Sequence, residues 1–201
     1  MTKRIAVIAS GRGSNFKAVI DAIKAGGLPA TCVALITDNP NAYAIERAEQ
    51  AKIPVIIVDY AAYSSRQEYE QALLAVMQRV NPDLFVLAGY MRIVGKEIVQ
   101  AFSGRMINIH PALLPSFTGL HAQRQAVEYG VKVSGCTVHF VDESLDGGPV
   151  ICQQAVPVME GDDEDSLAER ILAHEHECLP YAIQLFCEDR LEIYGRIVRI
   201  K

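Results

Sequence analysis

Short apolar runs that alternate with helical patterns constrain the fold of this chain more than any other feature. In the first half, apolar runs occur at Arg4–Ala9, Thr31–Thr37, Val55–Val58 and Leu84–Ala88. Between them, the spacing of apolar residues predicts helices at Asn15–Ala25, Ala42–Ala51 and Ser65–Val80. Strands that alternate with helices and are apolar along their length are typical of a parallel sheet covered on both faces. We therefore predict an α/β fold with a Rossmann-like, doubly wound and mostly parallel sheet.

The second half of the chain predicts a more antiparallel, C-terminal edge of the sheet. Strands are expected at Met106–His110, Gly135–Asp142, Val150–Val158 and, as an alternating edge strand, Leu191–Ile200. A long helical pattern covers Asp162–Asp189, and Pro180 is expected to break it. Because no linker, repeat or low-complexity segment interrupts these patterns, residues 1–201 are expected to form a single domain.

Charge and composition exclude several classes of function. The net charge of −5 argues against a protein that binds nucleic acid through phosphate contacts. No apolar stretch approaches the roughly 18 residues of a membrane helix, and Met1–Gly11 does not resemble a signal peptide. The 5 cysteines are an odd number without a CxxC motif, which favours reduced thiols rather than disulfides or a zinc site. We therefore expect a cytoplasmic protein.

A glycine-containing loop, Ser10–Asn15, follows the first predicted strand and precedes the first helix. Glycines allow a ligand to approach the backbone closely, and the amides at a helix start can bind an anion. The loop lacks the GK[ST] ending of a P-loop, and Phe16 stands where a dinucleotide fingerprint needs glycine or alanine. The pattern predicts a phosphate monoester site; the alternative is a tight turn in which Ser14 or Asn15 caps the helix.

Three polar residues form the candidate catalytic group. Asn108 and His110 lie two positions apart on a predicted strand, so their side chains share one face near the strand end. Ligands of open α/β sheets bind at such carboxyl ends. Asp146 precedes two glycines and a proline in a shaped loop, and a carboxylate that reaches a histidine orients the ring. Taken singly, each residue also fits a structural role in a turn or in the core.

Longer motifs around these residues resemble a known family. The segments Asn108–Pro115 (NIHPALLP), Gly119–His121 (GLH) and Leu145–Val150 (LDGGPV) are similar to the signature of the folate-dependent formyltransferases. The Ser10–Asn15 loop and Gly119–Ala126 (GLHAQRQA) narrow the resemblance to the phosphoribosylglycinamide formyltransferase family. It extends from Ile5 to about Arg190. The resemblance implies transfer of a formyl group from 10-formyltetrahydrofolate to the amine of glycinamide ribonucleotide in purine biosynthesis, with no metal and no protein nucleophile.

The resemblance also implies roles for individual residues. Asn108 would hydrogen-bond the developing oxyanion, His110 would act as general acid, and Asp146 would support the charged form of His110. Glycinamide ribonucleotide would be held by Gly13, Ser14, Asn15 and Glu175. The folate would be held by Arg66, Met91, Arg92, Ile93, Val94, Asn108, Asp142, Glu143, Ser144, Leu145 and Asp146. The Leu114–Pro115 bond would be cis. The partners would be these two small molecules, and a homodimer is allowed.

Some of these residues have simpler interpretations. Arg66 can be a solvated residue at a helix start, and Met91–Val94 can simply be the exit of a strand. His174 and His176 flank Glu175 and suggest a metal site, but side chains two positions apart on a helix point apart. Leu172 replaces a polar residue of some family members, which puts a peripheral phosphate contact in doubt. His121 and His139 are expected to be structural, although His121 can also lie near the substrate.

Other functions remain open at this point. A transfer-RNA formyltransferase would share the core but carry a C-terminal domain, and a formyltetrahydrofolate hydrolase would carry an N-terminal domain; a chain of 201 residues is expected to have room for neither. A non-enzymatic Rossmann-like module that binds a nucleotide or dinucleotide would explain the glycine loop and Asp38 after the second strand. It would leave Asn108, His110 and Asp146 without a role.

Overall fold

The computed structural model describes residues 2–201, and their contacts divide into two compact units. The first unit ends at Ile107, and the second comprises Asn108–Lys201. The single domain expected from the sequence stays a prediction.

The sheet of the first unit is parallel throughout. Its strands are β1 (Lys3–Ile8), β2 (Ala30–Thr37), β3 (Val55–Ile57) and β4 (Leu84–Leu87). They lie in the order β3-β2-β1-β4, and Ile5 of β1 pairs with both Cys32 of β2 and Leu84 of β4. The chain therefore moves outward from β1 to β3 and returns to the other side of β1. The carboxyl ends of β1 and β4 flank this change of direction, where doubly wound sheets bind ligands.

Four helices accompany these strands in the first unit. They are α1 (Ser14–Lys24), α2 (Ala44–Gln50), α3 (Arg66–Val80) and α4 (Lys96–Ala101), and a 3-10 turn covers Tyr60–Ala62. The Ser65 side chain caps α3 by accepting a hydrogen bond from the Glu68 amide, and Asn81 ends the helix in a left-handed conformation. The three helices predicted from the sequence are confirmed to within two residues at each end. α4 was not predicted, because fewer than two helical turns leave little periodicity.

The strands of the second unit are mostly antiparallel. β5 (Met106–His110) spans the unit boundary and is followed by β6 (Val133–Phe140) and β7 (Val150–Pro157), which pair antiparallel. The predicted single edge strand at Leu191–Ile200 is wrong. It is a hairpin of β8 (Leu191–Tyr194) and β9 (Ile197–Ile200), because Gly195, with a φ of 61°, reverses the chain. The predicted antiparallel C-terminal edge is confirmed.

Two helices, α5 (Ala122–Tyr129) and α6 (Glu164–Cys187), complete the second unit. The break expected at Pro180 is wrong, because α6 continues through it. Proline inside a helix costs about 3 kcal/mol, but Leu179 and Ile183 are fully buried on either side of it. Burial of one such side chain contributes about 1.5–3 kcal/mol, so packing against β6 and β7 offsets the cost. Among residues 2–201, no helix is long and apolar enough to cross a membrane.

Candidate active site

Asn108 and His110 of β5 meet groups from two later segments of the second unit. The Asn108 side-chain nitrogen Nδ2 lies 3.2 Å from Nε2 of His139 on β6. Nδ1 of His110 lies 3.5 Å from Oδ2 of Asp146, in the loop between β6 and β7. The asparagine, histidine and aspartate predicted from the sequence are therefore brought together.

The His110 ring is buried, with only 4% of its surface exposed, and both of its nitrogens face protein oxygens. Nε2 lies 2.8 Å from the carbonyl oxygen of Phe117. Since a carbonyl only accepts, Nε2 carries a hydrogen and donates it. Nδ1 faces the Asp146 carboxylate at 3.5 Å, beyond ordinary hydrogen-bond length. A proton added to Nδ1 would therefore meet a negative charge.

The Asp146 loop is shaped by close packing of its backbone. Asp146 has a φ of 50°, in the left-handed region that aspartate tolerates better than most residues. Its Oδ2 accepts a hydrogen bond of 2.7 Å from the Gly119 amide. A Cβ on Gly148 would lie 1.8 Å from the Phe140 carbonyl oxygen, and one on Gly147 would lie 2.2 Å from Ser144 Oγ. Gly148 therefore allows the loop to lie close to β6, and Gly147 allows close packing within the loop.

The turn after β5 is held by two side chains that the sequence did not single out. Leu114–Pro115 is cis, as predicted. Thr137 Oγ1 accepts a hydrogen bond of 3.1 Å from the Leu114 amide and donates one of 2.7 Å to the Ala112 carbonyl. Gln153 Nε2 donates to the Leu114 carbonyl at 2.9 Å. These bonds fix the turn that leads to the Phe117 carbonyl. In the sequence, the available signal for Thr137 and Gln153 was that each is a polar residue within a predicted strand.

In the first unit, the glycine loop leads directly into α1. Gly13 is the N-cap residue with φ 65° and ψ 31°, and within residues 2–201 no side chain caps this helix. The alternative in which Ser14 or Asn15 caps α1 is therefore wrong. Carbonyl oxygens of the loop are held instead: Asn39 Nδ2 donates to Ser10 at 3.1 Å, and Arg47 Nε donates to Arg12 at 2.9 Å. As the N-cap residue, Gly13 has no side chain that would compete with an anion for the first amides of α1.

The predicted folate residues of the first unit also gather together. Arg66, Met91, Arg92 and Ile93 line a cavity of about 200 Å³ with Tyr60, Tyr69 and Glu70. Val94 follows them directly in the chain. The Met91 amide donates a hydrogen bond of 3.0 Å to Ser10 Oγ, which joins this segment to the glycine loop. Met91 and Ile93 expose 61% and 59% of their surface. Exposed apolar side chains of this kind mark ligand-binding surfaces when they cluster.

Arg92 and Arg66 are both paired with acids in this cavity wall. Arg92 Nε lies 2.5 Å from Oδ2 of the buried Asp38, and its guanidinium lies 3.4 Å from the centroid of the Tyr60 ring. Arg66 Nε donates to Glu70 Oε1 at 2.6 Å. Because Asp38 is 4% exposed and its Oδ2 pairs with Arg92, the carboxylate is not accessible to a ribose as the nucleotide or dinucleotide alternative requires.

The remaining predicted residues of the second unit lie on α6 and in the loop of Asp146. Glu175 lies on α6 and is 7% exposed. On β6, the pKa of Cys136 is raised by its hydrogen bond with the Cys178 thiol, by burial and by the charge of the Glu175 carboxylate. Glu143, Ser144 and Leu145 are exposed in the loop of Asp146, and Ser144 donates hydrogen bonds to Asp142 Oδ1.

His121 makes a structural contact between two helices. His121 Nδ1 lies 2.9 Å from Glu164 Oε1, which ties the start of α5 to the start of α6. Among residues 2–201, the cysteines at 32, 136, 152, 178 and 187 form no disulfide. In the chain from residue 2 to 201, no group of three or more His, Cys, Asp or Glu side chains could hold a metal ion.

Comparison with known proteins identifies the class of this chain. A family model described as formyl transferase matches residues 3–183. The chain therefore belongs to the formyl transferase family. Phosphoribosylglycinamide formyltransferase of Escherichia coli (strain K12) is 43% identical over 94% of this chain and 90% of its own length. This similarity confirms the relationship to the phosphoribosylglycinamide formyltransferases and the formyltransferase class predicted from the motifs.

Further relatives extend this finding to multifunctional proteins and to the fold. The trifunctional purine biosynthetic protein adenosine-3 of Drosophila melanogaster is 45% identical over 91% of this chain, which spans only 14% of that protein. A crystal structure of glycinamide ribonucleotide transformylase 1 from Symbiobacterium toebii superposes with a TM-score of 0.96 at 50% identity, covering 99% of this chain and 94% of that one. The predicted α/β fold is thereby confirmed.

Proposed function

We propose that this chain transfers the formyl group of 10-formyltetrahydrofolate to the amine of glycinamide ribonucleotide. The observation that carries the proposal is the convergence of Asn108, His110 and Asp146 in one cluster with the buried rings of His110 and His139. An amide donor, an imidazole and a carboxylate suit an acyl transfer in which the substrate amine is itself the nucleophile.

The chemistry requires stabilisation of one negative charge and movement of one proton. The amine attacks the formyl carbon, and the carbonyl oxygen becomes an oxyanion in a tetrahedral intermediate. The carbon–nitrogen bond to the folate then breaks, the folate nitrogen gains a proton, and the attacking amine loses one. The amide nitrogen of Asn108 has two hydrogens, one of which faces His139. The other is available to the oxyanion, so we propose that Asn108 is the oxyanion donor.

His110 is the proposed proton donor to the leaving folate nitrogen. Its two ring nitrogens face the Phe117 carbonyl and the Asp146 carboxylate. One N–H must therefore exchange its protein partner for the substrate during the reaction. The Asp146 charge stabilises the imidazolium, which is the form that can give up a proton. In this mechanism Asn108 and His110 supply the charge stabilisation, and no metal is required.

Substrate binding is proposed for the remaining predicted residues. The start of α1, with Gly13, Ser14 and Asn15, would bind the phosphate of the ribonucleotide through backbone amides. Glu175 would bind its ribose or glycinamide end. Arg66, Met91, Arg92, Ile93 and Val94 and the loop residues Asp142, Glu143, Ser144 and Leu145 would contact the folate. Cytoplasmic location and homodimer formation stay predictions.

An acceptor comparison tests this proposal against the hydrolase alternative. The protein is incubated with 10-formyltetrahydrofolate, with and without glycinamide ribonucleotide, and formylated ribonucleotide and free formate are measured separately. We expect formylated ribonucleotide as the product and little formate in either reaction. Formate release that does not depend on the ribonucleotide would show a hydrolase. His110→Ala serves as the control for catalysis by this cluster.

A further inference from the structure

The proposed role of Asn108 depends on which way its amide group faces. The amide nitrogen donates hydrogen bonds, whereas the amide oxygen only accepts them. The terminal torsion of asparagine is broad and roughly two-fold, so rotation by half a turn exchanges the two atoms at little intrinsic cost. With the oxygen toward the oxyanion, the side chain would repel the charge that it must stabilise. A neighbouring group must therefore fix the amide.

His139 is the neighbour that can do this, because its tautomer is determined by the backbone. Its ring is 3% exposed, and Nδ1 lies 2.8 Å from the carbonyl oxygen of Phe140. Nδ1 must therefore carry a hydrogen. A neutral ring has only one N–H, so Nε2 has a lone pair and accepts. Nε2 lies 3.2 Å from Nδ2 of Asn108, and only the amide nitrogen can donate to it.

The charge of the ring supports the same arrangement. Burial lowers the pKa of His139 below its ordinary value of 6.5, although the Phe140 carbonyl and the Asp146 carboxylate act in the opposite direction. The ring is therefore neutral at neutral pH, and Nε2 stays an acceptor. Asp146 Oδ1 is 4.0 Å from Nε2, too far for a hydrogen bond that would compete with Asn108.

We propose that His139 is a positioning residue, which holds the Asn108 amide with its second N–H directed at the formyl oxygen. This inference rests on the proposed function. His139 acts through Asn108, so its loss should weaken stabilisation of the transition state and leave substrate binding nearly unchanged. No partner of His139 could be predicted from the sequence, because Asn108 lies 31 positions away.

Two substitutions separate positioning from a general structural role. His139→Leu removes the acceptor, and His139→Gln keeps an oxygen that can accept from Asn108. We expect His139→Leu to lower kcat about 10- to 100-fold, since a misplacement of 1 Å can cost about 100-fold in rate. Both KM values should stay within about two-fold, and His139→Gln should recover much of the loss. A rise in both KM values with no recovery by glutamine would overturn the proposal.

A double-mutant cycle tests whether the effect passes through Asn108. If His139 acts only by orienting that amide, His139→Leu should cost little further activity in an Asn108→Ala background. Equal fold-losses in both backgrounds would overturn the proposal.

Nitrogen NMR of the wild-type ring gives a readout that needs no activity and no variant. We expect a neutral His139 with a hydrogen on Nδ1 and none on Nε2 near neutral pH. A hydrogen on Nε2 would overturn the positioning role alone. Absence of formyl transfer by the wild-type protein would instead overturn the proposed function, on which this role depends.

Discussion

Substitution of Gly13 tests how the glycine loop is built. Gly13 has a φ of +65°, and an added Cβ would lie 2.7 Å from Cβ and 3.0 Å from Cα of Ala44. A left-handed conformation costs a non-glycine residue roughly 1–2 kcal/mol, and overpacking costs roughly 1–3 kcal/mol. We therefore expect Gly13→Ala to lower the free energy of unfolding by about 2–5 kcal/mol, a large part of the roughly 5–15 kcal/mol of a typical domain.

Two other glycines provide matched controls for this prediction. Gly26 has a φ of +76° but nothing within 4 Å of an added Cβ, so Gly26→Ala should show the conformational cost alone. Gly11 also has nothing within 4 Å and does not have a positive φ, so Gly11→Ala should change stability by less than about 1 kcal/mol. The assay is urea denaturation, in which a shift of the midpoint at constant slope reports a change in stability.

Comparison of Gly13→Ala with Gly26→Ala separates the cost of close contact with Ala44 from the cost of the left-handed conformation. If Gly13→Ala is no less stable than Gly26→Ala, close contact with Ala44 does not limit residue 13 and the calculation is wrong. The KM values then test the proposed phosphate site. In folded Gly13→Ala, the KM for the ribonucleotide should rise far more than the KM for the folate, and equal rises would mean that the loop is only structural.

Three further predictions concern the catalytic cluster. Asn108→Ala should lower kcat about 10²- to 10³-fold, the usual cost of one oxyanion donor, with both KM values retained. Steady-state kinetics checks this, and an unchanged kcat would exclude Asn108 as the oxyanion donor. Asp146→Asn should keep the fold, because asparagine tolerates the left-handed conformation and can still accept the hydrogen bond of the Gly119 amide. Its kcat should fall strongly, and a kcat equal to that of the wild type would mean that the carboxylate charge is not used. Because the pKa of His139 is lowered from 6.5 in the folded protein, the unfolded chain binds the extra proton below that pH, so stability should fall as pH decreases from about 6.5. His139→Gln should remove this part of the pH dependence of unfolding, and an identical pH dependence in both proteins would contradict the shift.

The strands of the first unit could be predicted from sequence because each is a short apolar run between helical patterns. β1 and β4 carry residues such as Val7 and Phe85 that are fully buried. Features that depend on tertiary packing could not be predicted. The helix around Pro180 continues because its neighbours are buried, and the C-terminal hairpin depends on the turn at Gly195.

The candidate site was predictable only where side-chain identity carries the chemistry. Asn108 and His110 share a strand face, and the period of a strand is enough to place them together. The carbonyl of Phe117 could not be predicted, since any residue supplies a carbonyl. His139 occupies a buried strand position that an apolar residue would fill equally well, so its polarity was the available signal.

Isotope tracing of the formyl carbon tests the central claim most directly. The wild-type protein is incubated with 10-formyltetrahydrofolate labelled with ¹³C in the formyl group, glycinamide ribonucleotide and an excess of unlabelled formate, and the product is analysed by mass spectrometry. Direct attack by the substrate amine predicts that the formylated ribonucleotide carries the ¹³C label throughout. Unlabelled product, or labelled formate released without any formylated ribonucleotide, would contradict the account.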